Sequence, residues 1–326
     1  MIRVGTSGKI DPTTSAPRPE ALAPSLDRLR EELHGTFDLS MVRAPEAQYF
    51  HMQTQFVHIG FDGKRTGVET YLLRLSCTPS SVSGRDLDEY TCHEFGLQLN
   101  DGPIATLPAL RLLTYRFDPT SGVLRSGPFF GIPQEPFAGL ADSSGRRLGP
   151  EICYATYNNF VDFHALGDVF PRPMKFVKGI DQLKLIGDRV VHPGAFTEAP
   201  VSLDGVVRPG SRFRNGELTL EFKGLGLVDD RACALINYDS GESTLRMAFI
   251  QGHGEDVLME GGSDYAGDIY IDLASGWVRK VTLNEFVITQ TSTAGEPTRV
   301  PGYTVRHILL RLIGPREFEA PISILA

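Results

Sequence analysis

The residue types best suited to proton transfer stand together in one stretch, Tyr157-Asn158-Asn159-Phe160-Val161-Asp162-Phe163-His164. An imidazole titrates near neutral pH, and a neighbouring carboxylate can fix its tautomer and favour its charged form. Read as a strand, the segment puts Asn158, Phe160, Asp162 and His164 on one face. Asp162 would then orient His164 as a general acid–base, Phe160 would supply an apolar wall, and Asn158 with Tyr157 would position a substrate. Read as a helix, the same residues stack Phe160 over His164 and bring Asn158 near Asp162. The local pattern fits both. A structural role competes with the catalytic one, because Asx-rich aromatic stretches also satisfy buried backbone groups and fill cores.

Other candidates are more scattered. His51, in a strand with Gln53 and Gln55, interrupts an apolar face with polar groups. Asp268, Tyr270 and Asp272 share one strand face, and Asp268 and Tyr270 are candidate ligand contacts. Cys92 and Glu94 share another, whereas Cys92 and His93 face apart and make a poor nucleophile–base pair. Asp239 and Ser240 precede Gly241 in ordinary turn composition. Trp277 follows the Ser275-Gly276 turn and suits packing over a sheet.

Among eight histidines there is no H-x-H, and a zinc site would need His51, His93 and His307 gathered from separate strands. No metal is expected. The chain has no G-x-G-x-x-G, Walker loop or H-E-x-x-H, and "GGSDYAG" (261–267) puts Tyr265 where a nucleophile elbow needs its second glycine. No cofactor is expected. Cys77, Cys92, Cys153 and Cys233 read as isolated buried thiols, a Cys77–Cys92 bridge being the local alternative.

These groups must be positioned by elements. "SLDRLREELHG" spaces Leu26, Leu29 and Leu33 as one helix, with Ser25 as N-cap and Gly35 past its end. Beyond it the period becomes 2. In "GELTLEFKG" (216–224) Leu218, Leu220 and Phe222 oppose Glu217, Thr219, Glu221 and Lys223, an antiparallel strand wet on one side. "FHMQTQFVHIGF", "ETYLLRLSC", "HEFGLQLN", "LRLLTYRF", "GDIYIDL", "KVTLNEFVITQT" and "YTVRHILLRLIG" behave alike, with turn pairs such as Asp62-Gly63 and Asn215-Gly216 among them. "FDPTSGVLR" (117–125) resembles "IDLASGWVR" (271–279), and "IGFDGKR" (59–65) resembles "LGLVDDR" (225–231), which suggests a duplicated meander.

The expected architecture is mostly β: two antiparallel meander or half-barrel units, an N-terminal helix and an irregular crossover. The expected divisions are a flexible tail (1–20), the helix with a first β unit (21–163), a proline-bearing crossover (164–201) and a second β unit (202–326).

Composition bounds the function. A net charge of −8 without a clustered basic face argues against nucleic acid. No apolar run approaches the ~20 residues of a membrane span, and the first residues lack a signal-peptide core, so a cytoplasmic location is expected. The leading expectation is a cofactor-free lyase, isomerase or hydrolase acting through His164 and Asp162 on a small apolar or aromatic molecule. The alternatives are a non-catalytic carrier of an apolar or amphipathic ligand and an assembly subunit. The assembly alternative allows a homodimer, since long sheets need their edges covered and often pair across a symmetric dimer.

Overall fold

Side-chain alternation governs most of the chain after residue 47, and in the computed structural model it yields, among the described residues, one open antiparallel sheet of 14 strands. The structure describes residues 36–39, 43–82, 85–117, 131–172, 178–192, 197–198, 200–250, 256–293 and 298–325. All that follows concerns the unit Phe37–Ala326. The helix expected over 25–35, the tail 1–20 and nearly all of "FDPTSGVLR" lie outside the described residues.

The strands are β1 (Gln48–Ile59), β2 (Arg65–Val82), β3 (Arg85–Leu99), β4 (Ala105–Thr106), β5 (Thr114–Phe117), β6 (Arg189–Val191), β7 (Thr197–Glu198), β8 (Arg212–Arg214), β9 (Thr219–Val228), β10 (Arg231–Asp239), β11 (Ser243–Ile250), β12 (Asp256–Asp272), β13 (Val278–Thr293) and β14 (Val300–Leu312). Their main order is β4-β3-β2-β1-β14-β13-β12-β10-β9-β6. The two meanders are therefore β1–β3 and β9–β14. They join edge to edge where β1 pairs with β14, from Phe50↔Leu312 to Ile59↔Tyr303. The sheet stays open instead of closing into a barrel.

Two of the segments that resemble each other in sequence are hairpin turns. Ile59–Arg65 links β1 to β2, and Leu225–Arg231 holds the end of β9 and the Asp229-Asp230 turn into β10. In the second turn Asp229 and Asp230 both adopt positive φ, 49° and 60°. Two successive left-handed residues make the type I′ turn, whose twist matches a two-strand ribbon.

One cross-strand row shows what holds the sheet. Phe95, Leu73, Met52, Leu310, Val281, Ile269, Ile236 and Phe222 are successive partners over eight strands. All are buried. Each contributes roughly 1.5–3 kcal/mol by leaving water. Against this inner face packs helix α1 (Pro150–His164), which continues through a π-helical turn at Ala165–Val169. Phe160 stacks on Phe95 with centroids 5.8 Å apart, and Phe163 meets Phe50 edge-on at 5.3 Å.

The strand reading of "YNNFVDFH" is thereby corrected. Pro150 starts the helix with its fixed φ. Thr156 Oγ1 and Asn159 Nδ2 donate to the carbonyls four residues earlier, at 2.8 Å each, so these donors are satisfied inside the helix. Cys153, Tyr157, Phe160, Phe163 and His164 are buried along the helix. Helical spacing gathers more aromatic surface on the sheet than alternation would.

Smaller corrections follow. "LRLLTYRF" is a strand only from Thr114, and "GGSDYAG" lies inside β12. The segment "IDQLKLIG", whose spacing allows a helical turn or two, forms a 3-10 turn at Ile180–Gln182. All four cysteines are free and buried, so the Cys77–Cys92 bridge is not formed. Helix α2 (Pro315–Glu319) and the residues after it cover part of the outer face. The carbonyls of Phe318, Ala320 and Pro321 converge there on the buried Arg74 guanidinium. Among the described residues no helix is long and apolar enough to cross a membrane.

Candidate functional site

On the inner side, helix geometry separates the expected catalytic pair. His164 Nδ1 lies 2.8 Å from Asp168 Oδ2, four residues on, not against Asp162. Its Nε2 lies 2.8 Å from the Tyr115 hydroxyl. The ring is fully buried among Tyr90, Phe117 and Phe163, with centroids 4.7, 4.8 and 5.2 Å away. Both nitrogens are thus engaged, and the imidazole is sealed from solvent.

Asp168 anchors a larger charge network. It accepts from Tyr90 Oη at 2.8 Å and from Arg172 at 2.8 Å, with Arg43 at 3.5 Å. Arg172 and Arg43 also bind Asp88, and Arg43 lies 3.7 Å over the Trp277 ring. Burial alone would raise the Asp168 carboxyl. Arg172, the hydrogen bond from His164 and Arg43 outweigh it and hold the group well below the usual carboxylate range.

The remaining helix candidates divide by face. Phe160 and Tyr157 are buried, with Tyr157 edge-on to Phe137 at 5.1 Å. Asn158 is half-buried and bonds the Tyr154 side chain. Asp162 pairs with Arg306 of β14 at 2.8 Å, and Arg306 also reaches Glu285 at 2.6 Å. Burial raises the Asp162 carboxyl, opposed by Arg306 and reinforced by Glu285. Asn158 and Asp162 therefore belong to a polar seam between helix and sheet, apart from His164.

The other expected contacts lie on the opposite face of the sheet. A cross-strand row on that outer face runs Arg74, His51, Arg311, Lys280 and Tyr270. Arg311 and Lys280 stand side by side, with Arg74 beyond His51, in a chain of net charge −8. Asp268 is two residues along β12 from Tyr270 on the same face and accepts from Asn237 at 3.1 Å. Helix candidates and sheet candidates thus never share a cavity.

The end of this row forms a shallow cleft of about 300 Å³, lined by Leu227, Val228, Asp229, Tyr270, Lys280, Leu309 and Arg311. The type I′ turn supplies Asp229, which holds Arg279 at 3.2 Å and lies 3.7 Å from Arg311. Lys280 stands 5.9 Å from the Tyr270 ring centroid. The cleft pairs an apolar wall with guanidinium and ammonium groups. In the sequence Arg279-Lys280 is only a pair of adjacent cations. Only strand register, which sets Arg311 and Tyr270 beside Lys280, makes it a site.

His51 is buried, and burial, then Arg74 and Arg311, push its imidazole down to about 4. Burial likewise brings His192 to about 4. A base whose folded value lies below its ordinary 6.5 binds fewer protons folded than unfolded. Stability is then full above pH 6.5 and falls as pH drops toward 4, by roughly 2–3 kcal/mol per histidine. Urea unfolding should show this decline between pH 7 and pH 4.5, and a shallower one in His51→Gln. Equal slopes for the two proteins would contradict the assignment of His51.

The outlying candidates do not assemble into sites. His93 bonds Ser76 at 2.9 Å beside Phe318, and His307 bonds Asn284 at 2.7 Å. His51, His93 and His307 therefore stay apart, and no cluster of metal-binding side chains occurs among the described residues. Cys92 is buried and its thiol is pushed far above the ordinary value by burial. Asp239 and Asp272 receive backbone N–H bonds as turn caps. Trp277 donates to the Ala44 carbonyl at 2.8 Å within the core.

Searches against protein-family models and against curated proteins give no match. Solved structures give weak likenesses. One, described as lipid-protein interactions in lipovitellin, is 10% identical with a TM-score of 0.39 and covers 87% of this chain and 27% of that one. Another, a DUF1329 family protein from Desulfovibrio piger ATCC 29098, is 9% identical with a TM-score of 0.16 and covers 92% and 96%. The chain thus spans about a quarter of the lipovitellin chain. Likenesses at such scores carry no argument about this protein.

Proposed function

We propose that this chain is a non-catalytic binder of a small amphipathic anion, held in the outer-face cleft. The observation that supports this is the juxtaposition of Leu227, Val228 and Leu309 with Lys280 and Arg311 in one opening of about 300 Å³. That volume is at the low end for ligand pockets and suits a short apolar tail with a charged head. Arg311 offers a planar fork to a carboxylate, and Lys280 a mobile point charge. Asp229 neutralises part of the cationic row, so an incoming anion competes with it for Arg311. Tyr270 adds a polarisable flank.

The acid–base alternative has less support. His164 is fully buried with both ring nitrogens bonded. A general base must reach a substrate proton within hydrogen-bond distance, and this one reaches Tyr115 and Asp168.

Calorimetric titration tests the proposal. Decanoate should bind, and decanol should bind at least tenfold more weakly, because charge-assisted hydrogen bonds contribute about 1.5–3 kcal/mol. Lys280→Gln with Arg311→Gln should remove that preference while leaving the melting temperature close to wild type. Equal affinity for both ligands, or a preference that survives the double substitution, would overturn it.

A further inference from the structure

The outer face carries a second feature, some six residues further along β1 from the cationic row. Two adjacent cross-strand rows there are apolar. One runs Val68, Val57, Val305 and Phe286, and the other Ile59, Tyr303 and Ile288. Phe286 and Ile288 are 45% and 49% exposed, although both sit in the middle of a long strand. Phe286 and Tyr303 stack at 6.3 Å, so the surface is preformed. The intervening rows, such as Gln55, His307 and Asn284, are polar. A polar row thus separates this patch from the cleft.

The flanks of this patch carry opposite charges. On the β2 side Ile59 is partnered by the exposed Arg65, next to the Lys64–Asp62 ion pair. On the β12 side Phe286 is partnered by the exposed Asp264. Burial and the nearby Asp239 and Glu242 raise the Asp264 carboxyl, which marks that flank as acidic. The order across the sheet is therefore cation, apolar centre, anion.

We propose that a second copy of this chain covers the patch, face to face about a two-fold axis parallel to the strands, so that Arg65 of each copy faces Asp264 of the other. Such an axis exchanges the left and right flanks of the sheet. It is the rotation that converts the observed asymmetry into two opposite-charge contacts, as an isologous interface requires. Three inter-strand spacings of ~4.8 Å from β2 to β13, and two rows about 7 Å apart, make the apolar centre roughly 15–20 Å by 10–15 Å, or ~200–300 Å². A stable interface buries about 800 Å² per partner as an apolar core with a polar rim, and the charged flanks supply that rim. A membrane surface would gain nothing from the acidic flank.

Sedimentation velocity on the full chain tests this. The wild type should be dimeric at micromolar concentration, and Phe286→Asp should be monomeric. Arg65→Asp and Asp264→Arg should each raise the dimer dissociation constant at least tenfold, and the two together should restore it. Should Phe286→Asp fail to fold, the charge exchange still decides, since both positions are exposed. A monomeric wild type overturns the proposal, as does a monomer that sediments with phosphatidylcholine vesicles through Phe286. A dimer whose stability ignores the exchange overturns the face-to-face arrangement.

Discussion

His164→Ala is expected to lower the free energy of unfolding by about 3–5 kcal/mol. The change empties a site enclosed by the rings of Tyr90, Phe117 and Phe163. It also strips the Tyr115 hydroxyl of a buried partner and removes one of the groups that hold Asp168. Urea unfolding measures the loss. Ligand binding at the outer cleft should persist at temperatures below the new midpoint, because the cleft lies across the sheet from α1. A His164→Ala protein with wild-type stability but without binding would return His164 to a functional site.

Asp168→Asn should cost a comparable amount, about 3–4 kcal/mol at pH 7. Asparagine keeps the size but not the charge, leaving Arg43 and Arg172 to share Asp88 alone. The pH dependence separates this from simple repacking. A carboxylate held below its ordinary value contributes stability that is present above pH ~4 and is lost as pH falls below it. Wild type and variant should therefore differ most near neutrality and converge below pH 4. A difference independent of pH would mean that the Asp168 charge is not what stabilises the cluster. Combining the two substitutions should cost less than their sum, since each breaks the same His164–Asp168 contact.

The sheet was legible in the sequence because period-2 alternation is imposed by burial on one face. "GELTLEFKG", "GDIYIDL" and "YTVRHILLRLIG" alternate, and all three become strands within the meanders. The helix at 150–164 was not, because its aromatic and Asx residues satisfy both periods over eight residues. Only the contacts of Phe160 and Phe163 with Phe95 and Phe50 choose between them. Asp162 was named as the partner of His164, whereas helix geometry favours a residue four positions on. Asp168 stands there.

The cleft was legible only in fragments. Tyr270 and His51 were identified, but no local rule brings Lys280 and Arg311 beside them. Lys280 meets Tyr270 through β12–β13 and Arg311 through β13–β14, and His51 joins the row only through the pairing of β1 with β14, whose sequence separation is the largest in the sheet. The outer apolar rows were hidden for the same reason. Phe286 and Ile288 look like an ordinary alternating strand until their neighbours in β14 and β1 prove apolar too.

A nitroxide-labelled decanoate titrated into isotope-labelled protein tests the account most directly. The proposed binding site requires paramagnetic broadening of the amide signals of Leu227, Val228, Tyr270, Lys280 and Leu309, with those of Phe160 to His164 unaffected. Broadening centred on α1, or none at saturating ligand, would contradict it.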